Sequence, residues 1–248
     1  MIPFERESDP RRRLILALDL PTADEALRLA DRLRPDLAWV KVGLQLFASE
    51  GPDVVRRLVS MGLRVFVDLK LHDIPNTMAS AARELSGLGA GLATVHASAG
   101  PVALAATAAA TRESAGRGPT GRPPALLGVT VLTSLDAAQL ETILGHPVSP
   151  ADHALHLAKT AIAAGLDGLV ASPKEIRVLR EELGADPVLV IPGIRPAWAS
   201  SDDQSRIATP AQALRDGADF LVVGRPITQS DDPRVALQRV LDEMSAAQ

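Results

Sequence analysis

A short segment of alternating charge, Asp68-Leu-Lys70-Leu-His-Asp73, closes an apolar run of the sequence. Side chains two apart share one face of a β-strand, so we expect Asp68 and Lys70 to point the same way. Lys41, late in the preceding apolar run, would add a second cation, and Asp73 would extend the cluster. A lysine in such a cluster can stabilise a developing anion and then donate a proton to it.

Lysine is scarce in this chain, which makes each one worth considering for chemistry. Among 26 basic residues only Lys41, Lys70, Lys159 and Lys174 are lysines, so arginine serves as the general surface cation. Arginine holds its proton too tightly to transfer it near neutral pH, whereas lysine can do so. This weak preference favours Lys41 and Lys70 as functional residues.

Other polar residues follow apolar runs in the same way. Asp19 follows the first run, Thr133 and Ser134 the fifth, and Arg195 and Arg225 the last two. Any single pair of these charges is equally well explained as an ordinary ion pair at a strand end. The whole set, at the ends of several separate strands, favours a functional site.

Two glycine-arginine pairs indicate a phosphate site. They occur in Pro192-Gly-Ile-Arg195 and Val223-Gly-Arg-Pro226. Glycine allows close backbone approach, and arginine donates two parallel hydrogen bonds to an oxyanion. Their position after the seventh and eighth strands is the usual phosphate site of barrel enzymes, so a phosphorylated substrate is expected.

Metal and hydrolase sites find little support in the sequence. The chain has no cysteine, and His153 and His156 lack the acidic neighbours of an HExxH site. His96 lies near the end of the predicted fourth strand, where it could line the pocket or serve only a structural role. No pattern suggests pyridoxal phosphate, thiamine or a metal, so we expect no cofactor.

Predicted strands and helices alternate along the whole chain. This pattern predicts an α/β fold, a (β/α)8 TIM barrel, which forms a single domain over residues 1–248. The predicted strands are Leu14–Leu20, Ala38–Gly43, Arg64–Lys70, Leu92–Ala97, Leu126–Leu132, Gly168–Ala171, Val188–Pro192 and Phe220–Gly224. The predicted helices are Thr22–Leu33, Asp53–Met61, Asn76–Leu88, Pro101–Arg112, Pro150–Ala164, Lys174–Leu183, Pro210–Asp216 and Pro233–Met244. An open doubly wound sheet is the second possibility, but the turn after the first strand lacks the required glycines.

Three segments outside the predicted strands and helices, and the net charge of the chain, support further predictions. Residues 1–12 form a polar N-terminal extension without the apolar stretch of a secretory signal. Residues 113–124 precede a strand and belong on the face away from the site, whereas residues 196–207 follow a strand and are a candidate lid. A net charge of −4 offers no general attraction to nucleic acid or to anionic membranes, and a cytoplasmic protein is expected.

The sequence resembles the orotidine 5'-phosphate decarboxylases, in particular the stand-alone bacterial type. The ten-residue block 68–77, Asp-Leu-Lys-Leu-His-Asp-Ile-Pro-Asn-Thr, carries the most specific part of the resemblance. Further matching segments are 17–19, 41–43, 128–134, 192–195, 203–204, 206–210 and 223–230. They run from the first strand to the last, and the resemblance therefore covers essentially the whole chain.

The resemblance implies that Lys70 donates the proton to C6 of the pyrimidine in forming UMP, without a metal or cofactor. It implies that Lys41, Asp68 and Asp73 complete the charged array. It also implies that Asp19 and Lys41 hold the ribose hydroxyls.

The resemblance also implies which residues bind the remaining parts of the substrate. Thr133 or Ser134 would contact the pyrimidine, and Gln204 would bridge the lid, the phosphate and the base. Arg195, Gly224 and Arg225 would form the phosphate end. A homodimer is implied, in which Asp73 and Thr77 serve the neighbouring subunit's substrate.

Two other functions stay open on the sequence. The metal-dependent sugar-phosphate decarboxylases of the same superfamily share Asp-x-Lys-x-x-Asp, but in their pattern a glutamate stands where this chain has Lys41. A non-catalytic barrel that binds nucleotide phosphates would keep Gly224 and Arg225 but would not need Lys70.

Overall fold

The computed structural model of the protein describes residues 8–199 and 207–247. Within these residues, eight parallel strands pair in sequence order, and the last pairs with the first, so the sheet closes into a barrel. The strands are β1 Leu14–Ala17, β2 Trp39–Gly43, β3 Arg64–Leu71, β4 Leu92–His96, β5 Ala125–Val129, β6 Gly168–Val170, β7 Val188–Ile191 and β8 Phe220–Val223. The predicted barrel is confirmed.

The helices lie between these strands and at the chain ends. They are α1 Pro10–Arg13, α2 Ala23–Leu33, α3 Leu44–Glu50, α4 Asp53–Ser60, α5 Pro75–Gly87, α6 Pro101–Glu113, α7 Ala137–Leu144, α8 Pro150–Ala163, α9 Ile176–Leu183, α10 Pro210–Arg215, α11 Arg225–Thr228 and α12 Pro233–Ser245. Proline begins many of them, because its fixed φ suits the first helical position and its missing N–H has no partner there. In the described ranges no helix has both the length and the apolar character needed to span a membrane.

Alternate strand residues fill the inside of the barrel. This interior cluster contains Ile15, Ala17, Trp39, Phe66, Leu92, Ala125, Leu127, Val129, Val170, Val188, Val190, Phe220 and Val222. Across it, the rings of Trp39 and Phe220 meet edge to face, with centroids 5.5 Å apart. These side chains fill the interior of the barrel below its C-terminal mouth, which is the usual place for the active site of such a barrel.

The loop before β5 and the described ends of the segment after β7 lie on the faces expected for them. Residues 114–124 lead into the N-terminal end of β5, opposite the C-terminal mouth. The segment after β7 is closed at its base by a bridge between Ile194 and Ala208, where the Arg195 N–H donates to the Ala208 carbonyl at 2.9 Å. Most of the candidate lid, residues 200–206, lies outside the described residues.

Several predicted boundaries were wrong, and some helices were not predicted. β1 ends at Ala17 and β5 at Val129, so Asp19 and the segment 130–134 belong to loops at the mouth. The helices α3 and α7 were not predicted. The start of α7 does carry a sequence signal, since Asp136 and Gln139 form a capping box. Residues 10–12 of the polar N-terminal segment belong to α1.

Candidate active site

The polar residues at the mouth continue the columns of side chains that fill the barrel interior. Lys41 lies two residues after Trp39, and Asp68 lies two residues after Phe66. Because side chains two apart share a face, both point into the barrel. Each is only 8% exposed. The alternation that builds the core therefore also places these two charges inside the mouth.

Four charged side chains form a chain of alternating sign across the mouth. The Lys41 Nζ is 3.0 Å from Asp19 Oδ1 and 3.7 Å from Asp68 Oδ2. The Lys70 Nζ donates to both Asp68 oxygens at 2.9 Å. Lys41, Asp68 and Lys70 lie in contact as predicted, and Asp19 joins them from the loop after β1.

The backbone of Lys70 is irregular, and no feature of the sequence predicts this. In the pairing of β3 with β4, Val67 faces Ala93 but Leu71 faces Val95, so β3 advances four residues where β4 advances two. Lys70 lies inside this bulge with φ of 51°, the only positive φ at a non-glycine position among the described residues. Such a conformation costs on the order of 1–3 kcal/mol, and it persists where surrounding contacts determine it.

Thr94 supplies such contacts, and the sequence analysis missed it. Its side chain is completely buried in β4. The Thr94 Oγ1 accepts the backbone N–H of Lys70 at 2.9 Å and donates to Asp68 Oδ1 at 3.0 Å. Its position could have indicated this role, because Thr94 lies two residues after Leu92 and therefore on the inward face of β4.

Gly43 leaves space for the ion pair between Asp19 and Lys41. A Cβ at this position would lie 2.8 Å from both Asp19 Oδ1 and Lys41 Nζ, closer than non-bonded atoms can approach. The φ of Gly43 is −94°, which any residue can adopt. The missing side chain therefore leaves room for this ion pair, and the conformational freedom of glycine is not needed here.

Two histidines flank the cluster on one side. The ring of His96, at the end of β4, lies 5.4 Å from the ring of His72. Burial, followed by the nearby His72 and Lys70, lowers the pKa of His96 below its ordinary value of 6.5, while Asp68 opposes this shift. This shift favours the neutral form of His96, which adds no third cation beside Lys70.

The residues predicted for the phosphate end lie after two neighbouring strands. β7 pairs with β8 through Ile191 and Leu221, so the segments that follow them leave the barrel side by side. Arg195 is buried, and its Nη1 donates to the Ile194 carbonyl at 3.1 Å. Arg225 is partly exposed at the first position of α11, directly after Gly224. The predicted Gln204 lies outside the described residues.

The remaining predicted residues do not contact the charged cluster in the described chain. Thr133 is partly buried and Ser134 exposed, both in the turn after β5. Asp73 and Thr77 are exposed, and Asp73 Oδ1 accepts the N–H of Ile74 at 2.6 Å. The roles of these four residues stay predictions. In the ranges 8–199 and 207–247, no group of three or more His, Asp or Glu residues could hold a metal ion.

Comparisons with known proteins agree with this geometry. Residues 12–240 match the model of the Orotidine 5'-phosphate decarboxylase / HUMPS family. The chain is 50% identical to an orotidine 5'-phosphate decarboxylase of Alkalilimnicola ehrlichii, over 94% of this chain and 97% of that protein. It is 46% identical to one of Nostoc sp., with the same two coverages. The crystal structure of an orotidine 5'-phosphate decarboxylase from Lactobacillus acidophilus superposes with a TM-score of 0.80 at 36% identity, covering 93% of this chain and 98% of that one. The chain therefore belongs to the orotidine 5'-phosphate decarboxylase / HUMPS family.

Proposed function

We propose that this protein decarboxylates orotidine 5'-phosphate to UMP and CO2 in pyrimidine biosynthesis, with Lys70 as the proton donor. The observation that carries this proposal is the Lys70 ammonium held at 2.9 Å by both oxygens of Asp68 at the barrel mouth. The names of relatives at 46–50% identity over most of the chain support the same reaction.

The reaction needs a cation that can also give up a proton. The bond between C6 and the carboxylate breaks, CO2 leaves, and the electron pair stays on C6. The ammonium of Lys70 stabilises this charge and then transfers a proton to C6, after which the amine regains a proton from water. An arginine could perform the first task but not the second.

Asp68 has two tasks in this scheme. It orients Lys70, and it places a fixed negative charge close to where the substrate carboxylate leaves. A field arranged before the substrate binds stabilises the transition state without reorganisation during the reaction. Lys41 neutralises Asp19 and Asp68 on the other side of the cluster, since it contacts both. We assign Asp19 and Lys41 to the ribose hydroxyls.

The rest of the substrate is assigned to the loops of the mouth. Arg195, Gly224 and Arg225 bind the phosphate, and Gln204 links the phosphate and base to the lid. Thr133 or Ser134 binds the pyrimidine. Phosphate held far from C6 can stabilise a closed lid, so remote binding energy supports the chemistry.

A homodimer completes the proposal, with Asp73 and Thr77 reaching the neighbouring subunit's substrate. Two large apolar side chains, Ile74 and Val102, are 67% and 71% exposed. They line a cavity of about 650 Å³ together with His72 and Asp73. Exposed apolar side chains beside a functional carboxylate favour burial against a second copy. We further propose that the enzyme is cytoplasmic and that residues 1–248 form one domain.

The metal-dependent decarboxylases of the same family are the second candidate, and Lys41 argues against them. Its ammonium lies between Asp19 and Asp68, where it supplies the positive charge that a divalent cation would supply. Oxygen ligands already paired with an ammonium bind such a cation poorly.

The ultraviolet absorbance of orotidine 5'-phosphate tests the proposal, because loss of the carboxylate changes the spectrum of the ring. We expect the purified protein to convert the substrate completely and equally fast with and without EDTA. Binding without a spectral change would indicate a barrel that only binds nucleotides. Activity abolished by EDTA would contradict the metal-independent mechanism.

A further inference from the structure

We propose that Thr94 positions Lys70 and Asp68 for the proton transfer, through one hydroxyl shared by both residues. The inference rests on the proposed role of Lys70 as proton donor. Thr94 contacts neither the reacting carbon nor the substrate in this proposal, so it is a positioning residue and acts through its two neighbours.

A hydroxyl is suited to this position because it has one proton to donate and lone pairs to accept. The Thr94 Oγ1 accepts from the Lys70 backbone N–H and donates to Asp68 Oδ1, at 2.9 and 3.0 Å. In a regular parallel ladder, strand N–H groups bond to backbone carbonyls of the neighbouring strand. At the bulge of β3 the threonine hydroxyl takes over that task for Lys70.

The result is a closed ring of hydrogen bonds around the proton donor. Asp68 Oδ1 is bound by both the Thr94 hydroxyl and the Lys70 ammonium. Lys70 is thereby held at two points, its backbone N–H by Thr94 and its Nζ by Asp68. Thr94 lies completely buried below them, so water cannot replace its hydroxyl without entering the barrel core.

Valine tests this inference because it keeps the shape of threonine and removes only the hydroxyl. In Thr94→Val, the Lys70 N–H and Asp68 Oδ1 each lose one partner. We expect kcat to fall by about 10- to 100-fold, since displacements of about 1 Å in an active site can have effects of this size. KM should change less than about threefold, because the proposed phosphate and ribose contacts lie elsewhere. Thr94→Ser keeps the hydroxyl and should restore kcat to within about threefold of the wild-type value.

Thr107→Val is a matched control for loss of a buried threonine hydroxyl. Thr107 is also completely buried, but it lies in α6 and donates to the Ala103 carbonyl at 2.7 Å. We expect its kcat to equal that of the wild type. If Thr107→Val lowered kcat as much as Thr94→Val, a general loss of stability would explain both, and the inference would be overturned. Should Thr94→Val fail to fold, Thr94→Cys keeps a similar volume with a poor hydrogen-bonding group and gives the same comparison.

Exchange of the C6 proton of UMP in deuterated water provides a second readout. By microscopic reversibility, the group that protonates C6 also removes its proton, so the exchange rate followed by NMR reports on Lys70 without the departing carboxylate. We expect Thr94→Val to slow exchange by about the same factor as kcat, and Thr94→Ser to restore it. Wild-type exchange and turnover in Lys70→Ala would overturn the proposed donor. An inactive Lys70→Ala together with wild-type rates in Thr94→Val would overturn only the positioning role of Thr94.

Discussion

Gly43 offers a perturbation of the site by a single methyl group. The added Cβ of Gly43→Ala would lie 2.8 Å from Asp19 Oδ1 and from Lys41 Nζ. Alanine accepts the backbone conformation of Gly43, so the substitution acts through space alone. Because Lys41 is the more deeply buried of the two, Asp19 is the side chain that should move. The 3.0 Å hydrogen bond between them should then be lost.

The magnitude follows from that one hydrogen bond. A hydrogen bond to a charged group contributes about 1.5–3 kcal/mol, which corresponds to a factor of about 10 to 150. The side chain of Asp19 is 54% exposed, so solvent screening places the effect at the lower end of this range. We expect kcat/KM for orotidine 5'-phosphate to fall about tenfold, with most of the loss in KM, since Asp19 and Lys41 are assigned to the ribose.

The assay is the loss of orotidine 5'-phosphate absorbance at several substrate concentrations. Gly87→Ala is the matched control, because Gly87 ends α5 and a Cβ there would meet nothing within 4 Å. We expect this control to keep wild-type kcat/KM and to unfold at an equal or slightly higher urea concentration, since alanine favours the helix. Wild-type kcat/KM in Gly43→Ala would refute the role assigned to the Asp19–Lys41 pair.

Three further predictions concern other groups. Arg225→Ala should weaken binding of UMP far more than binding of uridine in calorimetry, because only UMP carries the phosphate, and equal losses would contradict the phosphate assignment. His96 should titrate below 6.5 in NMR, since burial, followed by His72 and Lys70, lowers its pKa. Its titration midpoint should rise in Lys70→Ala, and an unchanged midpoint would show that Lys70 does not act on it. Burial raises the pKa of Asp167 above 3.8, against the opposing hydrogen bond from the Leu126 N–H at 2.8 Å. Its protonated form is therefore favoured by folding, and this contribution to stability is present below 3.8 and lost as pH rises through the raised pKa. Asp167→Asn keeps a carbonyl acceptor, so in urea unfolding the variant should gain stability relative to the wild type as pH rises from about 4 to 7. A relative loss of stability over that range would contradict this reasoning.

The charged part of the site could be predicted because it follows strand periodicity. Asp68 and Lys70 share a face by their spacing, and Lys41 lies on the adjacent strand, so their contacts followed once the strands were placed. Asp19 was predicted at the same mouth, although β1 ends two residues before it. The barrel itself was predictable from the regular alternation of apolar runs and amphipathic helices.

The remaining features depend on geometry that residue types do not express. Threonine is an ordinary residue type in a β-strand, and the role of Thr94 arises only from the changed register between β3 and β4. The positive φ of Lys70 has the same origin. The crowding that a Cβ would cause at position 43 comes from two side chains, one in the loop after β1 and one in β2. The roles proposed for Asp73 and Thr77 involve the proposed second subunit, and the pattern of one chain does not describe contacts between subunits.

The proton transfer by Lys70 is the central claim, and Lys70→Arg together with Lys70→Ala tests it most directly. Arginine keeps the positive charge beside Asp68 but cannot release a proton near neutral pH, and alanine removes both properties. With enzyme in excess over orotidine 5'-phosphate and concentrated enough to bind all of it, we expect no absorbance change in either variant, while calorimetry still detects binding of UMP. A single turnover at the wild-type rate in Lys70→Arg or in Lys70→Ala would contradict the assignment of Lys70 as the proton donor.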